Sequence, residues 1–195
     1  MKIERFDIEG PLLILPERIA DDRGFFSETF RRDVLMHHGI EREFVQENHS
    51  LSRRVGTVRG LHFQIPPRAQ DKLVRVVRGA ILDVVVDIRH GSPTFGRHLA
   101  VELSAENWRQ LLVPAGFAHG FCTLLPDTEV VYKVTDYHAP ECERGLAWDD
   151  PVLAIDWPVD PQDAVLSERD RRHPPLSGLA EYFTGIGRGR AGRKT

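Results

Sequence analysis

The apolar positions of this chain follow a strand period along most of its length. Ala80 to Ile88 reads AILDVVVDI, a β-branched run bounded by Gly79 and by Gly91-Ser92-Pro93. A short apolar run with such flanks predicts a buried strand rather than a helix. Leu99, Val101 and Leu103 alternate with Ala100 and Glu102, the pattern of a strand with one apolar face. Trp108 to Val113, Phe117 to Leu125 and Glu129 to Tyr137 continue the series across turns at Pro114-Ala115-Gly116 and Pro126-Asp127, and Val130, Tyr132 and Val134 share one face of the last. Upstream, Phe6 to Ile19 predicts one or two strands broken by Gly10-Pro11 and Pro16. A polar turn at Asp21 to Gly24 follows, with strand character over Phe25 to Phe30 and Phe44 to Ser50. Arg31 to Gly39 predicts the one helix of the first half, with Asp33 near its start and Gly39 as its stop. Strands at this density, separated by Gly/Pro turns, predict an antiparallel sandwich or barrel.

The stretch Gly56 to Gly79, GTVRGLHFQIPPRAQDKLVRVVRG, departs from the plain core pattern. In an extended chain His62 and Gln64 share one face and Leu61 and Phe63 the other, with Lys72 just past a loop carrying Pro66 and Pro67. A histidine, an amide and a lysine brought together this way predict the floor of a site. On a regular strand Arg59 and His62 face opposite sides, so a shared site requires a bulge or twist near Gly60. Beyond Pro140 the chain is proline-rich and loop-like, and Ser167-Glu168-Arg169-Asp170 predicts a short helix start.

Composition narrows the class without naming it. The chain has 195 residues, 41% apolar and 28% charged, with net charge −3. That describes one globular domain, expected over residues 1–184, and calls for neither nucleic acid nor an anionic membrane as partner. The final residues, GIGRGRAGRKT, read as a disordered tail over 185–195. The N-terminus carries Lys2, Glu4, Arg5, Asp7 and Glu9, and its apolar run Leu12 to Leu15 is too short for a signal-peptide core. Cys122 and Cys142 form no close-spaced ligand motif and read as thiols. The Asn48-His49-Ser50 triplet fits the glycosylation pattern without any sign of secretion. A cytoplasmic protein is expected.

Two spacings add chemistry. Gly60-x-His62-x-Gln64 with Lys72 and Gly79, followed by Pro114-x-Gly116-x-x-His119, resembles the paired motifs of the cupin superfamily. That superfamily is a jelly roll whose His, His, Glu and His hold a metal. Here His62 and His119 stay, while Gln64 and Lys72 stand at the other two positions. A protonated lysine has no lone pair to give, so no metal is expected.

Longer motifs narrow the resemblance to the RmlC-type nucleotide-sugar epimerases, the dTDP-4-dehydrorhamnose 3,5-epimerases. They are Asp22-Arg23-Gly24-Phe25-Phe26 with Glu28, Gln46-x-Asn48-x-Ser50, Arg59-Gly60-Leu61-His62-x-Gln64 and Lys72-Leu73-Val74. Asp87-Ile88-Arg89 through Gly96, Pro114 through Phe121, Tyr132-Lys133 and Leu166-Ser167-x-Arg169-Asp170 continue it, collinear from about residue 2 to 176. The resemblance implies a mainly β cupin-type jelly roll with a few short helices and no cofactor. It implies inversion of C3 and C5 of a 4-keto sugar through an enolate, for dTDP-L-rhamnose supply to surface polysaccharide. His62 would be the base, paired with Asp170; Tyr132 the proton donor; Lys72 the partner of the enolate oxygen. Arg23, Phe26, Glu28, Gln46, Asn48, Arg59, Lys72, His119, Tyr137, Glu143 and Arg169 would contact the dTDP-sugar. A homodimer is implied, the early segment with Arg23 and Glu28 reaching into the neighbour's site.

Two positions depart from the family pattern. Arg169 stands where lysine is usual, and His138 follows Tyr137 where an aromatic tyrosine or tryptophan is common. Neither touches the proton chemistry. Rival readings are an epimerase acting at only one of the two carbons, a metal-dependent cupin oxygenase, and a nucleotide-sugar binding protein without turnover.

Overall fold

The computed structural model describes residues 1–184; the expected disordered tail lies outside the described residues. Two antiparallel sheets face each other. One has six strands in the order β1-β2-β10-β7-β12-β5, formed by Lys2–Arg5, Leu12–Leu15, Gln110–Val113, Lys72–Arg78, Thr128–Val134 and Gln46–Ser52. The other runs β13-β6-β11-β8-β9, formed by Glu143–Gly145, Val58–Gln64, Phe117–Thr123, Ala80–Asp87 and His98–Ser104. A separate hairpin pairs β3, Ile19–Asp21, with β4, Gly24–Phe26. The architecture is the mainly β cupin-type jelly roll that the motifs imply.

The core between the sheets takes Val74, Val76, Leu111, Val113 and Val130 from the first and Ile81, Val85, Leu103, Phe117 and Phe121 from the second. Burying a side chain of this size contributes about 1.5–3 kcal/mol, so this cluster outweighs any polar contact in holding the sheets together. The five-stranded sheet is covered on its outer face as well. There Leu61, Phe63, Val84, Val86 and Ala118 pack against Leu146, Leu153 and Phe183 of the C-terminal segment. Burial on both faces explains why β8 reads as an unbroken apolar run instead of an alternating one. It also explains how a proline-rich C-terminus becomes ordered, and how it carries Asp170 back to β6.

Strand ends are where sequence pattern and structure part. The first strand lies before Phe6, at Lys2–Arg5. Its charges mask a strand pattern, but they suit an edge strand, which charged side chains protect from stray pairing. The strand expected over Phe25 to Phe30 stops at Phe26, and that expected from Phe44 begins at Gln46. The helix α1 occupies Arg32–His37 within the expected span, with Asp33 Oδ1 accepting the Val34 N–H at 2.9 Å and Gly39 at φ 80°. Ser167 to Asp170 leads into a short 3-10 turn, Asp170–Arg172. The Asp87-Ile88-Arg89 motif builds a corner: Asp87 accepts from Arg89, Ser92 and Thr94 at 2.6–2.8 Å, while the Arg89 guanidinium covers the Phe117 ring. No helix of the described residues is long and apolar enough to cross a membrane.

Candidate active site

Polar side chains collect at one end of the space between the sheets. Along β7 the inward positions run Lys72, Val74, Val76, from polar to apolar. On β12 Tyr132 sits opposite Val74 on one side and Asn48 of β5 on the other. The facing sheet supplies Arg59 and His62 from β6, His119 from β11 and Asp83 from β8. A cleft of about 330 Å3 is bordered by Arg59, His62, Lys72, His119, Tyr132, Glu143, Arg169 and Asp170. A second lobe of about 320 Å3 holds Gln46, Asn48, Gln64, Gln70 and His138, and shares His62, Lys72, Tyr132 and Glu143 with the first. Those four side chains stand where the lobes meet.

The bulge that the sequence requires is present. Between His119 and Phe121 of β11 the partner on β6 moves from His62 to Arg59, one residue more than a regular ladder allows. The extra residue turns Arg59 and His62 to the same side. Gly60 makes it possible: its φ is 131°, and a Cβ there would lie 2.6 Å from the Gly120 Cα. Any side chain at position 60 would push β6 and β11 apart at the centre of the site.

His62 is paired with Asp170. Its Nε2 lies 2.6 Å from Asp170 Oδ1, across 108 positions of sequence. With Nε2 on the carboxylate, Nδ1 is the nitrogen left for a substrate. Burial lowers the basicity of the His62 imidazole, and Asp170 pulls the other way without overcoming it. The ring is therefore kept neutral to lower pH than an ordinary histidine. Burial works to raise the Asp170 carboxyl, but the His173 and His62 imidazoles beside it outweigh this and hold the group far below the usual carboxylate range.

Lys72 donates from Nζ to the His62 carbonyl oxygen at 3.1 Å. Burial pulls its ammonium down to about 8, against the opposing charges of Asp83 and Glu143. Tyr132 stands on the strand next to that of Lys72, across the cleft from His62, its phenol pushed up by burial and then by Glu143. His119 is almost enclosed, its Nε2 held at 2.6 Å by Asp83 Oδ1. Asp83 has no exposure, and its Oδ2 is buried with no hydrogen-bond partner among the described residues. Glu143 binds Arg169 Nη1 at 2.9 Å and His138 Nε2 at 3.0 Å, and these contacts lower its carboxyl against the effect of burial.

Other expected site residues stand apart. The Gln64 amide donates to the carbonyls of Arg68 and Tyr137 and accepts the Ala139 N–H at 2.8 Å, so it ties two loops down while bordering the second lobe. Tyr137 is exposed at the rim. Arg23, Phe26 and Glu28 do not reach this cleft. Arg23 tips the β3–β4 hairpin with a side chain 90% exposed, and Phe26 beside it is 70% exposed.

Asp83 was missed by sequence reasoning, yet a carboxylate in the middle of the apolar run AILDVVVDI is a signal. A buried charge needs a partner, and none lies on its own strand. His173 was missed too; its ring sits edge to face with His62, centroids 5.4 Å apart. The nitrogen and oxygen atoms of His62, Asp170 and His173 lie within 4.8 Å of one another, close enough to share a metal ion. His62 and Asp170 already engage each other, and the Lys72 ammonium lies beside them.

Comparison with known proteins agrees with this geometry. The family model described as dTDP-4-dehydrorhamnose 3,5-epimerase matches residues 5–178. The protein of that name from Sinorhizobium fredii is 50% identical over 183 residues, covering 94% of this chain and 93% of the relative. Two solved structures superpose with a TM-score of 0.87 each. One is the Bacillus anthracis dTDP-4-dehydrorhamnose 3,5-epimerase with TDP and pyrophosphate bound, 49% identical over 89% of this chain and 98% of that one. The other is the Legionella pneumophila dTDP-6-deoxy-D-glucose-3,5-epimerase in complex with dTDP-4-keto-L-rhamnose, 44% identical over 92% of this chain and 94% of that one. With the fold, the cleft and the matched length in accord, this chain belongs to the dTDP-4-dehydrorhamnose 3,5-epimerase family.

Proposed function

We propose that this chain inverts C3 and C5 of dTDP-4-dehydro-6-deoxy-D-glucose, giving dTDP-4-dehydro-L-rhamnose. The observation that carries this reading is the meeting of His62, Lys72 and Tyr132 at one point, with His62 and Tyr132 on opposite sheets. A hydrogen next to a carbonyl is acidic because its loss gives an enolate. Inversion needs a base on one face of the ring and a donor on the other. His62 Nδ1 takes the proton, and Asp170 holds the ring and stabilises the imidazolium that forms. Lys72 donates to the C4 oxygen as negative charge grows there. A donor so placed contributes about 3 kcal/mol in the transition state. Tyr132 gives its proton from the far side, and once His62 has released its proton to solvent and Tyr132 has regained one, the sequence repeats at the second carbon.

Arg59 and Arg169 face the diphosphate, since guanidinium forks match phosphate oxygens. His119, Gln46, Asn48 and Glu143 contact the remaining polar groups. Arg23, Phe26 and Glu28 complete the site of a second copy in a homodimer, which is supported by their exposure on the β3–β4 hairpin and just after it. Two buried free thiols, Cys122 and Cys142, suit a cytoplasmic setting.

Coupled turnover tests the reading. The 4-keto sugar nucleotide, this chain and a 4-keto reductase with its hydride donor together should yield the rhamnose nucleotide. Failure of that product to form with an active reductase contradicts it. For the dimer, sedimentation should give twice the chain mass, and a monomer at full activity would remove the shared-site proposal.

A further inference from the structure

Asp170 has a second histidine against it. His173 follows by three positions, and in a 3-10 turn side chains three apart lie one above the other. Pro174 then restricts His173 to extended backbone, observed at φ −68° and ψ 144°, which ends the turn. The His173 side chain is 10% exposed, and its Nε2 stands 3.5 Å from the Asp170 Oδ1 that His62 also engages. That nitrogen is buried and has no hydrogen-bond partner among the described residues. An approach of about half an ångström would bring it to a normal N–H···O length.

The position is matched by its surroundings. Gly145 of β13 pairs in register with His62. A Cβ at Gly145 would fall 2.2–2.3 Å from three atoms of the His173 imidazole, so the ring can lie there only because position 145 has no side chain. The same strand thus neighbours the base and makes room for the second histidine.

We propose that His173 is a positioning residue for the His62–Asp170 pair, its Nε2–H backing the carboxylate oxygen that orients His62. The proposal rests on the reading of His62 as the base. Of these three groups only His62 exchanges a proton with substrate; Asp170 and His173 carry none away. Their task is to keep one oxygen in place while His62 alternates between neutral and cationic forms. A carboxylate held from one side could follow the ring as it moves, and one held from two sides keeps its position.

Two variants of the full chain test this. His173→Phe keeps a ring against Gly145 and removes the nitrogen, while His173→Gln restores an amide N–H. Each is assayed for solvent-deuterium exchange into the 4-keto sugar nucleotide, with kcat and KM separated, and the His62 ring is followed by 15N–1H NMR. His173→Phe is expected to lower kcat roughly tenfold, leave KM within about twofold and shift the His62 ring resonances. His173→Gln is expected to recover most of kcat. An unchanged kcat with unchanged His62 resonances overturns the proposal. Equal loss in both variants also overturns it, because packing alone would then explain the effect. If His173→Phe does not fold, His173→Leu, which also lacks the nitrogen, takes its place, and His62 resonances identical to wild type there contradict the contact. Exchange persisting in His62→Ala would instead remove the base assignment itself, a failure distinct from that of His173.

Discussion

Two histidine–carboxylate pairs face the same cleft, and they are built in opposite ways. His62 and Asp170 are joined at 2.6 Å across 108 positions, with the carboxylate delivered by the C-terminal segment. His119 and Asp83 are joined at the same 2.6 Å on adjacent strands, across 36 positions. On the antiparallel ladder His119 lies opposite Val85, so Asp83 is its diagonal neighbour on the same face. The His62 side chain is 28% exposed and His119 8%. Equal contact lengths therefore do not imply equal roles. A ring that can be reached, and that presents a free nitrogen, can exchange a proton with a substrate. A ring enclosed by its own sheet is better placed to hold a substrate oxygen. The buried, unpartnered oxygen of Asp83 strengthens the contrast, since it lends its charge to Lys72 across the site.

Removing each ring breaks this comparison most sharply. His62→Ala should slow exchange of the substrate C–H for solvent deuterium on the order of 10^3-fold, the usual worth of a positioned base. His119→Ala should weaken binding and keep measurable exchange, a loss of about tenfold. Equal losses in the two variants would erase the distinction. Lys72→Met comes next. Enolate formation should fall about 10^2-fold without acquiring a metal requirement, and an unaffected rate would dismiss Lys72 as the oxygen's partner. Tyr132→Phe should spare exchange more than inversion, because the proton can still leave from the other face; parallel loss of both would count against a donor role.

The mildest effect is on pH dependence. The base must be neutral, and burial keeps His62 so to below its ordinary 6.5, so the acid limb should fall in that region. The Lys72 donor must be charged, which it is below about 8 and ceases to be above it. The rate should therefore rise as His62 loses its proton and decline as pH passes about 8. In Lys72→Met the alkaline limb should disappear, and its persistence would assign that limb to another group.

Much of the fold could be read in the chain because strands buried on one or both faces leave distinct patterns. β8 and β9 are examples, and the bulge at Gly60 followed from requiring Arg59 and His62 to share a side. Pattern failed at strand edges such as Lys2–Arg5, where charges serve an exposed edge. It also could not join Asp170 to His62, because that contact depends on how the C-terminal segment packs over the outer face of the five-stranded sheet. The family resemblance supplied what periodicity could not. Asp83 was legible as a misfit inside an apolar strand, whereas His173 was not, since its meaning depends on the absence of a side chain at Gly145.

The central claim is that this cleft removes and returns protons at both carbons next to the C4 carbonyl. Proton NMR of the 4-keto sugar nucleotide incubated with this chain in D2O tests it most directly. Deuterium entering both C3 and C5, with inversion at each, is the predicted result. Label at one carbon alone would make the enzyme a single-site epimerase, and label at neither would contradict the account.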